Sequence, residues 1–360
     1  MPTRAMSAIA RNGAVASIKD VARKAGVSIA SVSRVMNGHG SVGQETRERV
    51  MAAVRSLHYV PHSGARSLAT QRTNVVGVLL PDLHGEFFSE LIRGIDTVAR
   101  QRRLQLLLSS THGDAAELAV AIRTMRGRVD GLLVMSPHVD AALLDKNLPS
   151  TLPIVLINSP LRDARRSTLT IDSYRGARAM VRHLAGRGHR RIAHVAGPEL
   201  NFDAQERLRG YRDEMAASLP RAAQQVLPGD FSEKSGYLAG QQLAAQRERP
   251  DAVFAANDVI AVGCVAAFRE AGLHVPGDIS VAGFDDIPLA ALVSPALTTV
   301  RVQIAELGRS ALEQLLLGIE SPARTRPVSR ALLPEVVVRE SCSAQKPPKR
   351  RPQRRAARLP

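Results

Sequence analysis

The chain has 360 residues, with 49 lysines and arginines against 33 acidic residues, and two cysteines, Cys264 and Cys342. Two cysteines exclude a disulfide framework and a cysteine-based zinc site. No stretch approaches the ~18 consecutive apolar residues of a membrane helix, and residues 1–16 contain no apolar run of signal-peptide length. We therefore expect a cytoplasmic protein without a membrane partner and with a disordered extension over 1–16.

The positive charge is concentrated at the two ends of the chain. Residues 1–72 carry 11 basic and 3 acidic residues (+8), and residues 342–360 carry 7 basic and no acidic residues (+7). Of the total of +16, only +1 is left for 73–341. A near-neutral body between basic ends favours a polyanionic partner such as DNA. Residues 342–360 are rich in proline and arginine, which predicts a disordered tail.

The segment 17–37 predicts two short helices joined by a tight turn. Ser17 and Asp20 fit a helix start, Gly26 fits a helix end at positive φ, and an apolar face around Val32 would pack the second helix on the first. The open side of the second helix then holds small and hydrogen-bonding side chains: Ser28, Ile29, Ala30, Ser31, Ser33, Arg34 and Asn37. This composition is typical of a recognition helix for the DNA major groove. An ordinary helical hairpin in a core is the alternative.

A third helix over 46–57 completes a predicted three-helix domain at 17–60, which Pro61 ends. Residues 61–72 are small, polar and basic. A helix as short as 65–69 is marginal in water, so it would order only against a partner chain or DNA. Otherwise 61–72 is a flexible linker.

From Thr73 onward, apolar strands alternate with amphipathic helices, which predicts βαβ winding. Strands are predicted at 75–80, 104–110, 129–136, 154–158, 191–197, 224–227, 252–257 and 280–286. The pattern forms two similar series, the second beginning at Tyr174. Two such series predict two doubly wound α/β lobes with a ligand cleft at the carboxyl ends of their strands.

Polar and aromatic side chains follow several of these strands. Arg207, Asn257 and Asp285 could hydrogen-bond a hydroxyl-rich ligand, and the phenylalanines at these strand ends could supply apolar faces. The phenylalanines are Phe87, Phe88 and Phe231. Each of them could equally be an ordinary core or helix-capping residue.

Several phrases of the chain together resemble the lactose-repressor (LacI/GalR) family of bacterial transcription regulators. They are SIKDVARKAGVSIASVSRVMNGHGSVGQETRERVMAAV, ARSL, VDGLLVM, RGHRRIAHVAGP, RLRGYR, AANDVIAVG, VPGDISVAGFDDIPLA and SPALTTVR. The resemblance covers about 17–341. It implies a homodimer whose two heads bind a pseudo-palindromic operator, and a small-molecule effector held in a cleft like that of a periplasmic sugar-binding protein.

The resemblance also implies roles for individual residues. Ile29, Ala30 and Arg34 fall where the family reads base edges in the major groove. Leu68, in the hinge segment that begins near Ala65, matches the leucine that wedges between base steps in the minor groove.

In the cleft, the resemblance places effector contacts at family positions that bind ligand hydroxyls or bases. These are Asp172, Arg207, Asn257 and Asp285, with Phe231 packing on the ligand. Asp258 is expected to cap its helix. This polar set favours a sugar or a nucleoside as effector, and no cofactor is implied.

The family topology implies three crossovers between the lobes. Lobe 1 would comprise 73–172 and 300–331, and lobe 2 would comprise 173–299 and 332–341, within an effector-binding and dimerisation domain at 73–341.

The chain departs from the family pattern at several positions, including His62 before the hinge, Asn201 and Arg102-Arg103. Gly43 replaces a serine cap at the third helix, and Gly85-Glu86 replaces a common Asn-Pro before Phe87 and Phe88. The tail has no leucine heptads, so no tetramerising coiled coil is predicted.

Two other classes of protein remain to be weighed. A solute-binding protein of the same lobed fold would need an export signal and would lack 17–72. An enzyme on the α/β body would need a motif that is missing here: a phosphate loop, a nucleophile elbow or a metal-spaced His/Cys set. The sequence therefore favours a DNA-binding regulator that is not an enzyme.

Overall fold

The computed structural model describes residues 16–36, 42–59, 72–161, 165–321 and 326–342. The chain divides into two compact units, one up to Thr73 and one from Asn74 onward. The predictions for Asn37, for the hinge residues Ala65 and Leu68, and for the extension and the basic tail lie outside the described residues.

The first unit contains the three predicted helices. They are α1 (Ile18–Ala25), α2 (Ile29–Met36) and α3 (Gln44–Ser56). The backbone N–H of Ser17 donates to Asp20 Oδ2 at 3.0 Å, and Gly26 ends α1 with φ +63°, as the sequence predicted. Val21, Val32 and other apolar residues of the three helices form one small core. The core fixes α2 against α1.

Gly43 is the N-cap of α3 and offers no side-chain hydrogen bond to the first turn. Its φ of −57° suits any residue, and a Cβ there would meet no atom within 4 Å. We expect Gly43→Ser to stabilise the head by about 0.5–1 kcal/mol, through a new cap and a less flexible unfolded chain. Hydrogen exchange of α3 amides in the intact protein should slow, whereas Gly43→Ala adds no capping oxygen and places a poor N-cap residue there, so exchange should be faster than in Gly43→Ser. Equal rates in the two variants would exclude a capping contribution.

The second unit contains two parallel sheets. The first has the order β11-β5-β4-β3-β1-β2, with all pairs parallel. Its strands are β1 (Val75–Leu80), β2 (Gln105–Ser110), β3 (Gly131–Met135), β4 (Ile154–Ile157), β5 (Ser167–Ile171) and β11 (Ser329–Leu332). Its helices are α4 (Glu86–Gln101), α5 (Ala115–Met125), α6 (Ala141–Asn147) and α12 (Ile304–Glu320), and α12 packs on α4.

The second sheet has the order β7-β6-β8-β9, also parallel. Its strands are β6 (Ile192–Val195), β7 (Gln225–Leu227), β8 (Ala252–Ala255) and β9 (Ser280–Ala282). Its helices are α7 (Ser173–Gly186), α8 (Phe202–Ser218), α9 (Glu233–Ala244), α10 (Asp258–Glu270) and the short α11 (Pro288–Leu292). A separate antiparallel pair joins β10 (Thr299–Arg301) to β12 (Glu335–Val337).

The doubly wound α/β architecture predicted from the sequence is therefore confirmed. Strand β5 was missed, because STLTI has neither a long apolar run nor clear alternation, and it becomes a strand only between β4 and β11. After β10, the chain forms α12 and β11, which belong to the first sheet. It then returns to form β12, which pairs with β10. None of the helices in the described ranges is long and apolar enough to span a bilayer.

Candidate functional site

Helix α2 presents a mixed face to solvent. Ser28 caps it, since its Oγ accepts from the Ser31 N–H at 3.1 Å. Ser28, Ile29, Ala30 and Arg34 are exposed, and Ile29 keeps 45% of its surface accessible. Ser31 and Ser33 are half-buried. A short helix held by Val32 and Val35, with an isoleucine and an arginine outward, has the shape and chemistry to enter a DNA groove.

Arg207, on the buried side of α8, is the centre of the polar cluster in the second unit. Only 3% of the residue is exposed. Its Nη1 donates to the Ala256 carbonyl at 2.6 Å and its Nη2 donates to Asp285 Oδ1 at 2.9 Å. Its guanidinium carbon lies 3.8 Å from the centre of the Phe284 ring and 5.8 Å from that of Phe231. Two other candidates, Asp285 and Phe231, therefore lie at the Arg207 cation, and Asn257 joins them through Phe231.

Asn257 joins the cluster through Phe231. As N-cap of α10, Asn257 accepts from the Ile260 N–H at 2.8 Å, and its Nδ2 donates to the Phe231 carbonyl at 3.2 Å. Phe231 needs this support because it is a non-glycine residue at φ +69°. With both ends of its amide engaged, Asn257 keeps one N–H and one lone pair for a ligand.

The expectation that Asp258 caps its helix is wrong. Asn257 has an extended backbone and takes the cap position, so Asp258 becomes the first helical residue. Its carboxylate instead accepts from the Thr299 hydroxyl and from the Ile287 N–H. Asp258 thus ties α10 to the chain that leads into β10.

Three buried carboxyl groups belong to this cluster: Asp285, which pairs with Arg207, Asp203, which feels the Arg207 charge, and Asp258, which feels the Asp285 charge. Burial raises the pKa of Asp203 to about 6, although Arg207 and the Ser173 hydroxyl act against that rise. Burial also raises the pKa of Asp285 against the opposing effect of Arg207, and burial followed by the Asp285 charge raises that of Asp258 well above its usual value. One guanidinium therefore neutralises only part of this cluster.

We expect Asp203→Asn to stabilise the protein at pH 8 by about 1 kcal/mol. The folded-state pKa of about 6 lies above the unfolded value of 3.8, so the stability contribution of Asp203 is complete below pH 3.8 and is lost as the pH rises through 6. Thermodynamic linkage limits the gain in the free energy of unfolding to ~3 kcal/mol. The buried amide N–H of the new asparagine would lack a partner, which reduces this gain by ~1–3 kcal/mol. The Asn Oδ1 can still accept from Ser173, 3.0 Å away in the native contact.

Urea unfolding at pH 4 and pH 8 measures the effect. The gain should be confined to the higher pH, and Asp213→Asn, which removes an exposed carboxylate from the same helix, is the control for the change in net charge. His194, whose burial lowers its pKa to about 4, acts in the opposite direction and is present in both variants. A pH profile of Asp203→Asn identical to that of the parent would contradict the assignment.

Asp172, Phe87 and Phe88 lie at other strand ends. Asp172 caps α7 by accepting from the Arg175 N–H at 3.0 Å. Phe87 and Phe88 are half-buried in the first turn of α4, with ring centres 5.5 Å apart and edge to face. Among the described residues, the hydrogen bonds, ion pairs and ring contacts of these three side chains do not reach Arg207. Glu86, beside them, accepts from the Leu289 N–H at 2.9 Å and so connects α4 to α11.

Sequence reasoning missed three polar residues at the carboxyl ends of β3 and β4. Ser136 Oγ, His138 Nδ1 and Asn158 Nδ2 are buried atoms without a hydrogen-bond partner in the described structure, and so is Arg207 Nε. His138 Nε2 lies 3.1 Å from Asn201 Nδ2, which brings strand ends of the two sheets together. A polar residue directly after an apolar strand run, as in GLLVMS and IVLIN, was the available signal. Buried polar atoms without partners are what a polar ligand in a cleft would satisfy.

Two protein-family models match the chain. One, described as bacterial regulatory proteins of the lacI family, covers residues 17–62, and the other, a periplasmic binding protein-like domain, covers 181–342.

Curated relatives match nearly end to end. The chain is 36% identical over 334 residues to the HTH-type transcriptional repressor PurR of Photobacterium profundum, covering 91% of this chain and 98% of that one. It is 36% identical over 316 residues to the ribose operon repressor of Escherichia coli, covering 86% and 94%.

Solved structures match in the same way. The lac repressor dimer bound to operator and the anti-inducer ONPF superposes with a TM-score of 0.80 at 28% identity, covering 91% of this chain and 99% of that one. A LacI family regulator from Enterococcus faecium with bound ribose superposes with a TM-score of 0.68 at 27% identity, covering 76% and 100%.

Proposed function

The chain belongs to the LacI family of bacterial regulatory proteins, and we propose that it is a transcriptional repressor acting as a homodimer on a pseudo-palindromic DNA operator. One observation carries the DNA-binding part: α2 exposes Ser28, Ile29, Ala30 and Arg34 while Val32 and Val35 hold it from behind. Arg34 is the residue we assign to guanine recognition, because its guanidinium can donate two hydrogen bonds to one base edge. As a protein that acts on bacterial DNA, it would work in the cytoplasm.

The effector would be a sugar or a nucleoside. Arg207, Asp285 and Asn257 supply donors and acceptors suited to ligand hydroxyls, and Phe231 supplies a ring face beside them. Asp172, Phe87 and Phe88 would line the same cleft from other strand ends, and Ser136, His138 and Asn158 would add contacts from the first sheet. The relative named ribose operon repressor, and the solved regulator with bound ribose, support a sugar.

The division into lobes accompanies this function. We assign 73–172 with 300–331 to one lobe and 173–299 with 332–341 to the other, joined by three crossovers. Pairing of β11 with β5 supports the assignment of 329–331 to the first lobe. Residues 61–72 would be the hinge, with Leu68 entering the minor groove and Ala65 beside it. Effector binding between the lobes would then change how the paired hinges meet DNA.

Selection of bound duplexes from a random-sequence pool, with and without a panel of sugars and nucleosides, tests the proposal. We expect a two-fold symmetric site whose enrichment depends on one compound. Arg34→Ala should lose the preference for one base pair in each half-site, at a cost of about 1–3 kcal/mol per contact.

Arg55→Ala is the matched control, since Arg55 is an exposed arginine at the end of α3. It should leave the base preference unchanged. No enrichment at low salt, where phosphate contacts hold, would refute DNA binding. An unchanged preference in Arg34→Ala would refute only the readout by Arg34.

A further inference from the structure

The second sheet carries a cluster of arginines at the end opposite to the effector cluster. Arg190 and Arg191 precede β6, Arg221 precedes β7, and Arg247 and Arg249 precede β8. All five are exposed. Because the strands are parallel, the turns that precede them lie side by side at the end of the sheet where the strands begin. We call these five residues the arginine cluster.

Few acidic groups oppose the arginine cluster. In the described chain, no carboxylate lies within ion-pair distance of any of the five guanidinium groups. Glu248 and Asp251 are the acids within the same turns, and Asp278 lies near enough to Arg249 for that guanidinium to contribute to lowering its pKa. Against these three acids, the five arginines leave a local charge of +2. Asp251 is already engaged, since it accepts from the backbone N–H groups of Arg190 and Arg191 at 3.1 Å.

The arginine cluster borders a groove of about 800 Å³. Arg190, Arg191 and Arg221 line it, together with Glu248 and apolar residues such as Leu219 and Pro250. No aromatic side chain is among the lining residues. Guanidinium groups bind phosphates through paired donors, whereas binding of single strands generally adds aromatic stacking platforms. The groove therefore suits the phosphate backbone of a duplex better than splayed bases.

We propose that the arginine cluster is a second, sequence-independent site for double-stranded DNA, separate from the α2 face. It belongs to the 74–360 unit and shares no residue with the head or with the Arg207 cluster. A protein held on one duplex by its heads would thereby hold a second duplex through phosphate contacts. The affinity of this second site depends steeply on salt, because each neutralised phosphate releases counterions.

The experiment is a two-duplex capture with the full chain. A biotinylated 40-bp duplex on beads retains the protein at about 50 mM salt, and a fluorescent 40-bp duplex of unrelated sequence is then added. The readout is fluorescent duplex captured per retained protein. We expect capture by the unsubstituted chain, and about tenfold less by Arg190→Gln/Arg221→Gln/Arg249→Gln, with retention on the beads unchanged.

A triple variant with the same change in charge is the control. Arg93→Gln/Arg209→Gln/Arg309→Gln removes arginines that each pair with a glutamate three residues earlier, outside the arginine cluster. It should capture as much as the unsubstituted chain. Thermal unfolding of both variants verifies that they are folded.

Equal capture by the two triple variants, or retention without any capture, would overturn the second site and leave the proposed function intact. No retention on the beads would overturn both. A 40-nt single-stranded RNA captured in place of the duplex would also overturn the proposal, in favour of an RNA partner.

Discussion

Replacing Arg207 with methionine is expected to lower the free energy of unfolding by about 3–5 kcal/mol, because it removes one partner of a buried ion pair. Asp285 would stay buried without the donor now 2.9 Å away, and the Ala256 carbonyl would lose its donor at 2.6 Å. Methionine keeps much of the apolar volume over Phe284, so the cost reports mainly the lost charge. The variant should also stop responding to effector in DNA binding while α2 stays intact.

Urea unfolding at pH 7 measures the loss, and the double variant Arg207→Met/Asp285→Asn separates its causes. Asparagine tolerates the φ of +104° at position 285 and removes the unpaired charge, so the double variant should be more stable than Arg207→Met alone. A double variant no more stable than the single one would show that the cost comes from packing on Phe284. A normal effector response in Arg207→Met would remove Arg207 from the effector site.

Gly263→Ala is expected to destabilise the second unit by about 2–3 kcal/mol, although alanine is the better helix former. Helices α9 and α10 cross with their backbones in contact. A Cβ at Gly263 would lie 2.2 Å from the Glu233 carbonyl oxygen, and one at Gly236 would lie 2.1 Å from the Ile260 carbonyl oxygen. Backbone atoms cannot rotate away as a side chain can, so the helices must separate.

The control is Gly186→Ala in the last turn of α7. No atom would lie within 4 Å of its Cβ, and its φ is not positive. Helix propensity then predicts a gain of about 0.5–1 kcal/mol. Chemical denaturation of the two variants compares the same substitution with and without a steric neighbour. A gain of stability in both would contradict the tight crossing of α9 and α10.

Features that depend on local pattern can be predicted from the amino-acid sequence. The three helices of the head follow from caps, a glycine end and apolar spacing within about 40 residues. The strands β1, β3, β4 and β8 follow from short apolar runs, and the βαβ order follows from their alternation with helices. The family resemblance also indicates which exposed residues have a functional role. Periodicity alone cannot make this distinction.

Contacts between residues far apart in the chain become visible only in the folded structure. Arg207 and Asp285 are 78 residues apart and meet only because α8 and the turn after β9 lie at the same end of one sheet. Strand β5 exists because β4 and β11 flank it. Asn257 rather than Asp258 caps α10, because the carboxylate of Asp258 reaches Thr299 and Ile287 from a distant segment.

The physical reason is the range of the interactions involved. Caps, turns and helical spacing depend on neighbours within a few residues, so a single sequence displays them directly. A buried charge, an orphaned polar atom such as Ser136 Oγ or a glycine at a helix crossing is defined by its distant neighbours. Such interactions determine the stability of the Arg207 cluster and of the α9–α10 contact, and the residues that make them meet only in the folded chain.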